Sequence, residues 1–348
     1  MRIALLAPLV HPVPPAGYGG TERVVDTLGR ALQALGHEVM LYAAGDSRTT
    51  LPLRAYVPRS MADLALRDRE GYEHLEKRHV AWVLEQSSSF DLIHDHTKTS
   101  GVLLAGKSRV PVLTTLHNDL TPGRREIYEA HPGHAFVALS RFQAQRAAPL
   151  RIIEVVPNGL DLSEIPTPRP LSGPRRGPLL FLGRLCPDKG PDLAVEVARR
   201  MQLPLVLLGQ VDPAHETWFR KTVLPHVDGR RIRWLGEVGG ARKWRWLARA
   251  RCVLFPVRWP EPFGLVMLEA MACGTPVVAL AAGAVGEVVA HGITGWIARD
   301  VRGLVAGVTR TATLSTRECR EWVESRFSAG HMALGYLHAY HKLLESPR

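Results

Sequence analysis

The sequence predicts an α/β protein of two Rossmann-like βαβ domains, each built on a mostly parallel sheet, facing one another across a deep cleft. Three observations lead there. The chain has 348 residues, and at about 150 residues per domain that length allows two, each able to bury its own core. Short apolar runs alternate with amphipathic helical patterns through both halves, as expected of βα units around buried parallel strands. Between the halves lies a breaker-rich segment, 166–178, with Pro166, Pro168, Pro170, Gly173, Pro174, Gly177 and Pro178, which reads as an interdomain linker. The expected division is a first domain over 1–165, the linker 166–178, a second domain over 179–329, and a last helix in 330–348 packing back on the first domain.

In the first half, 2–9 is an apolar strand. Thr21 is placed to cap a helix with Val24, Val25, Leu28, Leu32 and Leu35 on one face. Gly36 ends that helix and 38–44 forms the next strand. Further short strands fall at 92–94, 112–116, 135–139 and 152–156, and the stretch 61–86 reads as helical with a mixed face. Past the linker the pattern restarts with strand 179–182, a charged loop, helix 192–200 and strand 205–208. Strand 232–235, an Arg-rich helix, strand 252–255, a helix through Leu268 and strand 276–279 follow. The last helical stretch covers 330–344.

Composition narrows the function classes. With 46% hydrophobic and 22% charged residues, the chain has enough apolar surface to bury, which excludes disorder. Gly and Pro are scattered without period, which excludes a collagen-like or low-complexity chain. No apolar run reaches the roughly 20 residues of a membrane helix. Residues 2–10 superficially resemble a signal peptide, but Pro12, Pro14, Pro15 and a glycine loop follow without a small-residue cleavage site, so a first strand is the better reading. Cys186, Cys252, Cys273 and Cys319 show no C-x-x-C or paired spacing; they imply reduced thiols, a cytoplasmic location and no zinc site. Residues 1–165 carry 18 Lys+Arg and 18 Asp+Glu, so the whole net charge of +11 lies in 166–348. That points to an anionic partner, a polyphosphate-bearing small molecule or a nucleic acid.

Three constellations carry chemistry. The run Gly17-Tyr18-Gly19-Gly20-Thr21-Glu22 lies between the first strand and helix, where glycines let backbone N–H groups approach a phosphate or sugar. A loop that merely turns tightly is the alternative. It lacks the G-x-G-x-x-G spacing, so Asp46 is a weak stand-in for the ribose acid of an NAD site. Arg184 and Lys189, between Gly183 and Gly190, sit at the carboxyl end of a strand just ahead of a helix, where ligands bind in open sheets and two cations suit a diphosphate. Exposed loop charges are the alternative. The third runs from Glu261 through Phe263, Gly264, Leu265 and Val266 to Glu269. Glu261 lies between Pro260 and Pro262, Gly264 lets the backbone come close, and the helix from Leu265 offers free N–H groups. Glu269 sits among Val, Met, Leu and Ala, so its carboxylate needs a partner; sugar or ribose hydroxyls serve, and backbone amides are the alternative.

The Glu-x7-Glu pattern of Glu261 and Glu269, followed by Ala270-Met271-Ala272-Cys273-Gly274-Thr275-Pro276, resembles the signature of family 4 retaining glycosyltransferases of the GT-B fold. Gly19-Gly20, Thr115-Leu116-His117, Val156-Pro157-Asn158-Gly159, Gly183-Arg184 with Lys189-Gly190, and Gly292-Ile293-Thr294-Gly295 stand in the same order as in that family, over nearly the whole chain. Gly286, where many relatives have Pro, departs from it. The resemblance implies an acceptor-side first domain and a second domain for the nucleotide sugar. It implies that Arg184 and Lys189 neutralise the donor diphosphate together with N–H groups of the Gly19–Gly20 loop and of Gly264–Val266, with Phe263 also at the donor. It further implies that Glu261 holds hydroxyls of the transferred sugar, Glu269 the nucleotide ribose, and that His117 touches the sugar near the reacting carbon. By itself, His117 reads equally as a helix-cap or core histidine.

The expected activity is retaining transfer of a hexose to an acceptor hydroxyl of a glycan or small metabolite. A UDP-sugar such as UDP-glucose is the first reading of the donor, and GDP-mannose competes with it. No Asp-x-Asp occurs, which favours protein cations over a metal at the diphosphate, and no cofactor is expected. The rival readings are a non-catalytic nucleotide-sugar binder, an NAD(P)-dependent oxidoreductase lacking its glycine fingerprint, and a GT-B epimerase or phosphorylase. Cations interleaved with aromatics at Arg230, Arg231, Arg233, Trp234 and at Arg242, Lys243, Trp244, Arg245, Trp246 imitate a nucleic-acid platform. Helical spacing turns Trp246, Leu247 and Ala250 inward and leaves the arginines solvated, so no nucleic-acid partner is expected; peripheral membrane contact stays open. His94-Asp95-His96 has no third metal ligand at diagnostic spacing and reads as a cleft-edge loop. Tyr72, His74, His79 and Trp82 read as the packed aromatic face of a helix, with an acceptor pocket as the alternative.

Overall fold

The computed structural model describes residues 1–168, 173 and 175–345. They group into two compact units, Met1–Gly159 with Ala329–Arg348, and Leu160–Ser328. Part of the segment read as a linker, 169–172 and 174, lies outside the described residues, as do 346–348 of the closing stretch.

The first unit alternates strands and helices in the order β1 (Arg2–Leu6), α1 (Gly20–Ala34), β2 (Glu38–Ala43), β3 (Leu53–Ala55), α2 (Ala62–Arg67), α3 (Arg69–Glu85), β4 (Leu92–Asp95), α4 (Thr99–Leu104), β5 (Val112–Thr115), α5 (Pro122–Glu129), β6 (Ala135–Ala138), α6 (Arg141–Ala147) and β7 (Ile152–Val155). All seven strands are parallel, in the order β3-β2-β1-β4-β5-β6-β7. Ile3 pairs with Val39 on one side and Leu92 on the other. The order reverses between β1 and β4, so the loops after those strands flank the crevice where open α/β sheets bind ligands.

The second unit runs β8 (Leu179–Leu182), α7 (Pro191–Met201), β9 (Leu205–Leu208), α8 (Glu216–Thr222), β10 (Ile232–Trp234), α9 (Gly240–Arg249), β11 (Cys252–Phe255), α10 (Leu265–Ala272), β12 (Val277–Leu280), α11 (Val285–Val288), β13 (Gly295–Ala298), α12 (Val301–Arg310) and α13 (Thr316–Arg326). Its sheet is also parallel, ordered β10-β9-β8-β11-β12-β13. Leu179, Phe181, Leu205, Leu207, Cys252 and Leu254 are buried in one apolar cluster with Ala194, Val197 and Leu304 from the helices. The reversal here falls between β8 and β11, which pair at Val253 and Leu180. The final helix, α14 (Ala329–Glu345), belongs to the first unit. There Tyr336 and Tyr340 are buried, and Lys342 pairs with Glu154 at 2.7 Å.

Several elements differ from the sequence expectation for identifiable reasons. Thr21 does not cap α1; the helix starts at Gly20, and Gly19 stands before it at φ 140° with no side-chain cap. The stretch 61–86 breaks at Asp68, whose carboxylate accepts from Gly71 N at 2.9 Å and starts α3. Strand β3 is three residues at a sheet edge, too short for a periodicity to register. β13 begins on Gly295, where a Cβ would meet Val277 O at 2.1 Å; a glycine needed for close strand approach reads in sequence as a loop. The strand expected at 92–94 runs on to Asp95 as β4, so His94 and Asp95 are fully buried strand residues and not part of a cleft-edge loop. Tyr72 and His79 are buried and His79, Trp82, Tyr42 and Tyr56 pack ring against ring, while His74 faces outward.

Candidate active site

In the second unit, the loops after β8 and β11 bring together the charged residues of two separate sequence runs. After β8, Pro187–Lys189 forms one tight turn and Gly190 follows at φ 72°. A side chain at Gly190 would meet Pro256 O at 2.2 Å, so glycine there lets this loop lie against the one after β11. Lys189 Nζ then donates to Glu261 Oε2 at 2.5 Å, and Trp259 Nε1 donates to the same oxygen at 2.7 Å. The ammonium also sits 4.6 Å from the Trp259 ring centre. Arg184 stands outside this cluster, with its guanidinium 2.5 Å from Asp212 Oδ2 and its side chain partly exposed.

Glu261 is held from behind. Its carbonyl accepts from Ala284 N at 2.9 Å, and Gly283, at φ 57°, lies so close that a Cβ would stand 2.2 Å from that oxygen. Gly264 at φ 89° turns the chain into α10, leaving Leu265 and Val266 half-buried at its start, where helical N–H groups lack intrahelical acceptors. Phe263 is buried with its ring 6.0 Å from Phe327, a packing contact.

Glu269, further along α10, does not depend on a ligand for its partner. Lys243 Nζ donates to its Oε1 at 2.6 Å, both side chains being under 10% exposed, with the ammonium 4.1 Å from the Trp244 ring centre. Sequence reasoning missed Lys243 by grouping it with the solvated cations of α9. Arg242, Arg245 and Arg249 are indeed exposed. Lys243, however, shares a helical stripe with Leu247 and Ala250, and that spacing is the signal that marks it as inward-facing.

The positive excess of this half is also partly structural. Arg175, inside the segment read as a linker, is buried and donates to Ala250 O at 2.9 Å, Thr275 Oγ1 at 3.1 Å and Gly274 O. Arg320 donates to Ala272 O at 3.0 Å. Two guanidiniums thus meet the carbonyl-rich C-terminal end of α10.

In the first unit, the Gly19–Gly20 loop is tied down by Arg23, which donates to Pro15 O at 3.0 Å and Gly17 O at 3.2 Å. Glu22 is buried beside it, and burial pushes its carboxyl up to about 7. His117 follows β5, half-buried, with Nε2 2.7 Å from His96 Nδ1. Burial, and then the charge of Lys98, hold His117 down at about 3. Beneath it His94 contacts Tyr340 OH at 2.8 Å and Thr115 Oγ1 at 2.7 Å. Among the described residues no group of three or more His, Cys, Asp or Glu side chains is arranged to hold a metal ion. Nor is any described helix long and apolar enough to cross a membrane.

Comparison with known proteins matches both halves. The model described as Glycosyl transferases group 1 matches residues 172–318, and that described as Glycosyltransferase Family 4 matches residues 18–164. A D-inositol 3-phosphate glycosyltransferase of Xylanimonas cellulosilytica is 31% identical, over 84% of each chain. A glycogen synthase of Mycobacterium tuberculosis is 27% identical, over 85% of this chain and 83% of its own. Among solved structures, AviGT4, a glycosyltransferase involved in avilamycin A biosynthesis, aligns over 99% of this chain and 98% of its own, with a TM-score of 0.72 at 25% identity.

Proposed function

This chain belongs to the glycosyltransferase family described by the group 1 and family 4 models, and on that premise we propose that it is a retaining hexosyltransferase that uses a nucleotide-diphosphate sugar without a metal ion. Its fold is the expected GT-B type, two Rossmann-like units with parallel sheets. The observation that carries the proposal is the Lys189–Glu261 pair, 2.5 Å apart where the strand order of the second sheet reverses. A cation and a carboxylate side by side beside the free N–H groups of α10 match the two ends of a sugar diphosphate: phosphate oxygens for the cation and amides, hydroxyls for the carboxylate.

In this reading Lys189, Arg184 and the start of α10 stabilise the negative charge that grows on the diphosphate as the bond to the anomeric carbon breaks. Glu261 orients the sugar, and Glu269, fixed by Lys243, takes the nucleotide ribose. The acceptor hydroxyl attacks from the face the diphosphate leaves, and its proton passes to the departing phosphate oxygen. The Gly19–Gly20 loop and His117 serve the donor from the first unit, where the acceptor also binds. A UDP-sugar, UDP-glucose first, is the proposed donor, with GDP-mannose as its competitor, and a glycan or small metabolite is the acceptor. The relatives' names span an inositol phosphate and glycogen, which supports an acceptor drawn from small metabolites or glycans. Four buried cysteines without disulfides fit a reducing, cytoplasmic setting.

A thermal-shift screen of nucleotide sugars, followed by mass spectrometry of acceptors with the best donor, tests this. The true donor at 100 times its Kd should add about 2.7 kcal/mol of stability. Arg184→Ala and Lys189→Ala should each lower kcat by on the order of 10²-fold. Near-normal turnover in both, or no response to any nucleotide sugar, would remove the proposal.

A further inference from the structure

The residues that follow β4 and β5 set two imidazoles against each other, and their bonding decides which nitrogen of each carries the hydrogen. His96 Nδ1 lies 2.7 Å from His117 Nε2. That separation takes one hydrogen, so one ring donates and the other accepts. Burial holds His96 well below the ordinary histidine range, and His117 lies lower than that range too, so both rings are neutral near pH 7.

The far nitrogen of His96 gives the direction. His96 Nε2 is sealed from solvent with no hydrogen-bond partner among the described residues. The ring nearest to it, His94 at 4.0 Å between centres, already has both nitrogens engaged, by Tyr340 and Thr115. A hydrogen on His96 Nε2 would therefore be a buried donor with nothing to receive it, an arrangement that folded proteins tolerate less than an idle lone pair. His96 carries its hydrogen on Nδ1 and gives it to His117 Nε2. The one hydrogen of neutral His117 is then on Nδ1, an atom that makes no hydrogen bond within the described residues.

We infer that His96 is a positioning residue that presets His117 as an Nδ1–H donor to a hydroxyl oxygen of the transferred sugar, and that His117 is not a base. This rests on the proposed contact between His117 and that sugar. It makes the buried stack of His94 and His96, which touches no substrate, part of the means by which the enzyme recognises its donor.

Long-range nitrogen–proton NMR correlations on the full chain, labelled at histidine, read the tautomers directly. The expected spectrum shows His117 and His96 both protonated at Nδ1. In His96→Asn the amide nitrogen replaces the Nδ1 donor, so the His117 tautomer and the donor kcat/KM should stay close to the parent's. In His96→Leu that preference is lost, and kcat/KM should fall by about 10-fold, the worth of one hydrogen bond. Nε2–H on His117 in the parent protein, or equal losses in the Asn and Leu variants, would overturn the inference. His117→Ala separates the two layers: full activity there would discard the sugar contact while leaving the measured tautomer in place.

Discussion

Lys189 and Lys243 each neutralise a carboxylate that has little access to water, so removing either cation leaves a shielded charge behind. Lys243→Met should lower stability by about 3–5 kcal/mol, because Glu269 is then buried without a counter-ion. Adding Glu269→Leu to the same chain should recover most of that loss. Urea denaturation of the single and double variants checks both, and a single variant as stable as the parent would show that the pair holds nothing. Glu76 offers the opposite case. It accepts from Tyr72 OH at 2.7 Å and Ser100 Oγ at 2.9 Å, and burial pushes its carboxyl up to about 7 from an ordinary value of 4.5. The native chain then holds a proton that the unfolded chain has lost. The stability this group contributes is complete below pH 4.5 and fades as pH rises through 7. Glu76→Gln cannot ionise, so relative to the parent its stability should climb by roughly 1.4 kcal/mol per pH unit across that window and then level off. A difference that stays flat with pH would refute this.

At the level of elements, α10 and the turns around it decide where the glutamates stand. Gly283→Ala should both strain a left-handed residue and drive Glu261 out of register, lowering kcat/KM on the order of 10²-fold. Gly36→Ala is the control: it has a similar φ of 84° but open space around it, so it should cost about 1–2 kcal/mol and leave transfer untouched. Steady-state kinetics beside thermal melts separates the two. The placement of these elements was legible in the sequence because it is local: strand β11, the turn at Gly264 and the helix bearing Glu269 follow one another within a few residues. Strands such as 179–182, 205–208 and 252–255 were legible to the residue because buried parallel strands are continuous apolar runs. Contacts between distant residues were not. Nothing near Glu269 announces Lys243, 26 positions earlier, and nothing near His94 announces Tyr340. Short or glycine-led edge strands and the Asp68 break were missed because they are set by neighbours in space or by a single side chain, which periodicity does not register.

On the scale of the whole molecule, α14 completes the first unit after the chain has built the second. Tyr336 OH lies 3.0 Å from Thr115 Oγ1 and Tyr340 OH 2.8 Å from His94 Nδ1, all of them buried. Ending the chain at Ser328 should therefore weaken the first unit selectively, giving a separate, earlier transition in calorimetry while the second unit melts as before. A single unchanged transition would contradict this. The return of the chain has a further consequence. Where the second unit begins and ends, Leu160 N donates to Phe327 O at 2.9 Å and Leu160 bridges Ser328. Its two ends are thus paired, and residues 160–328 form an insert in the chain of the first unit. The two junctions of this insert, 159/160 and 328/329, therefore meet at that pairing, and a chimera that exchanges residues 160–328 for the corresponding piece of another glycosyltransferase needs only those two joins.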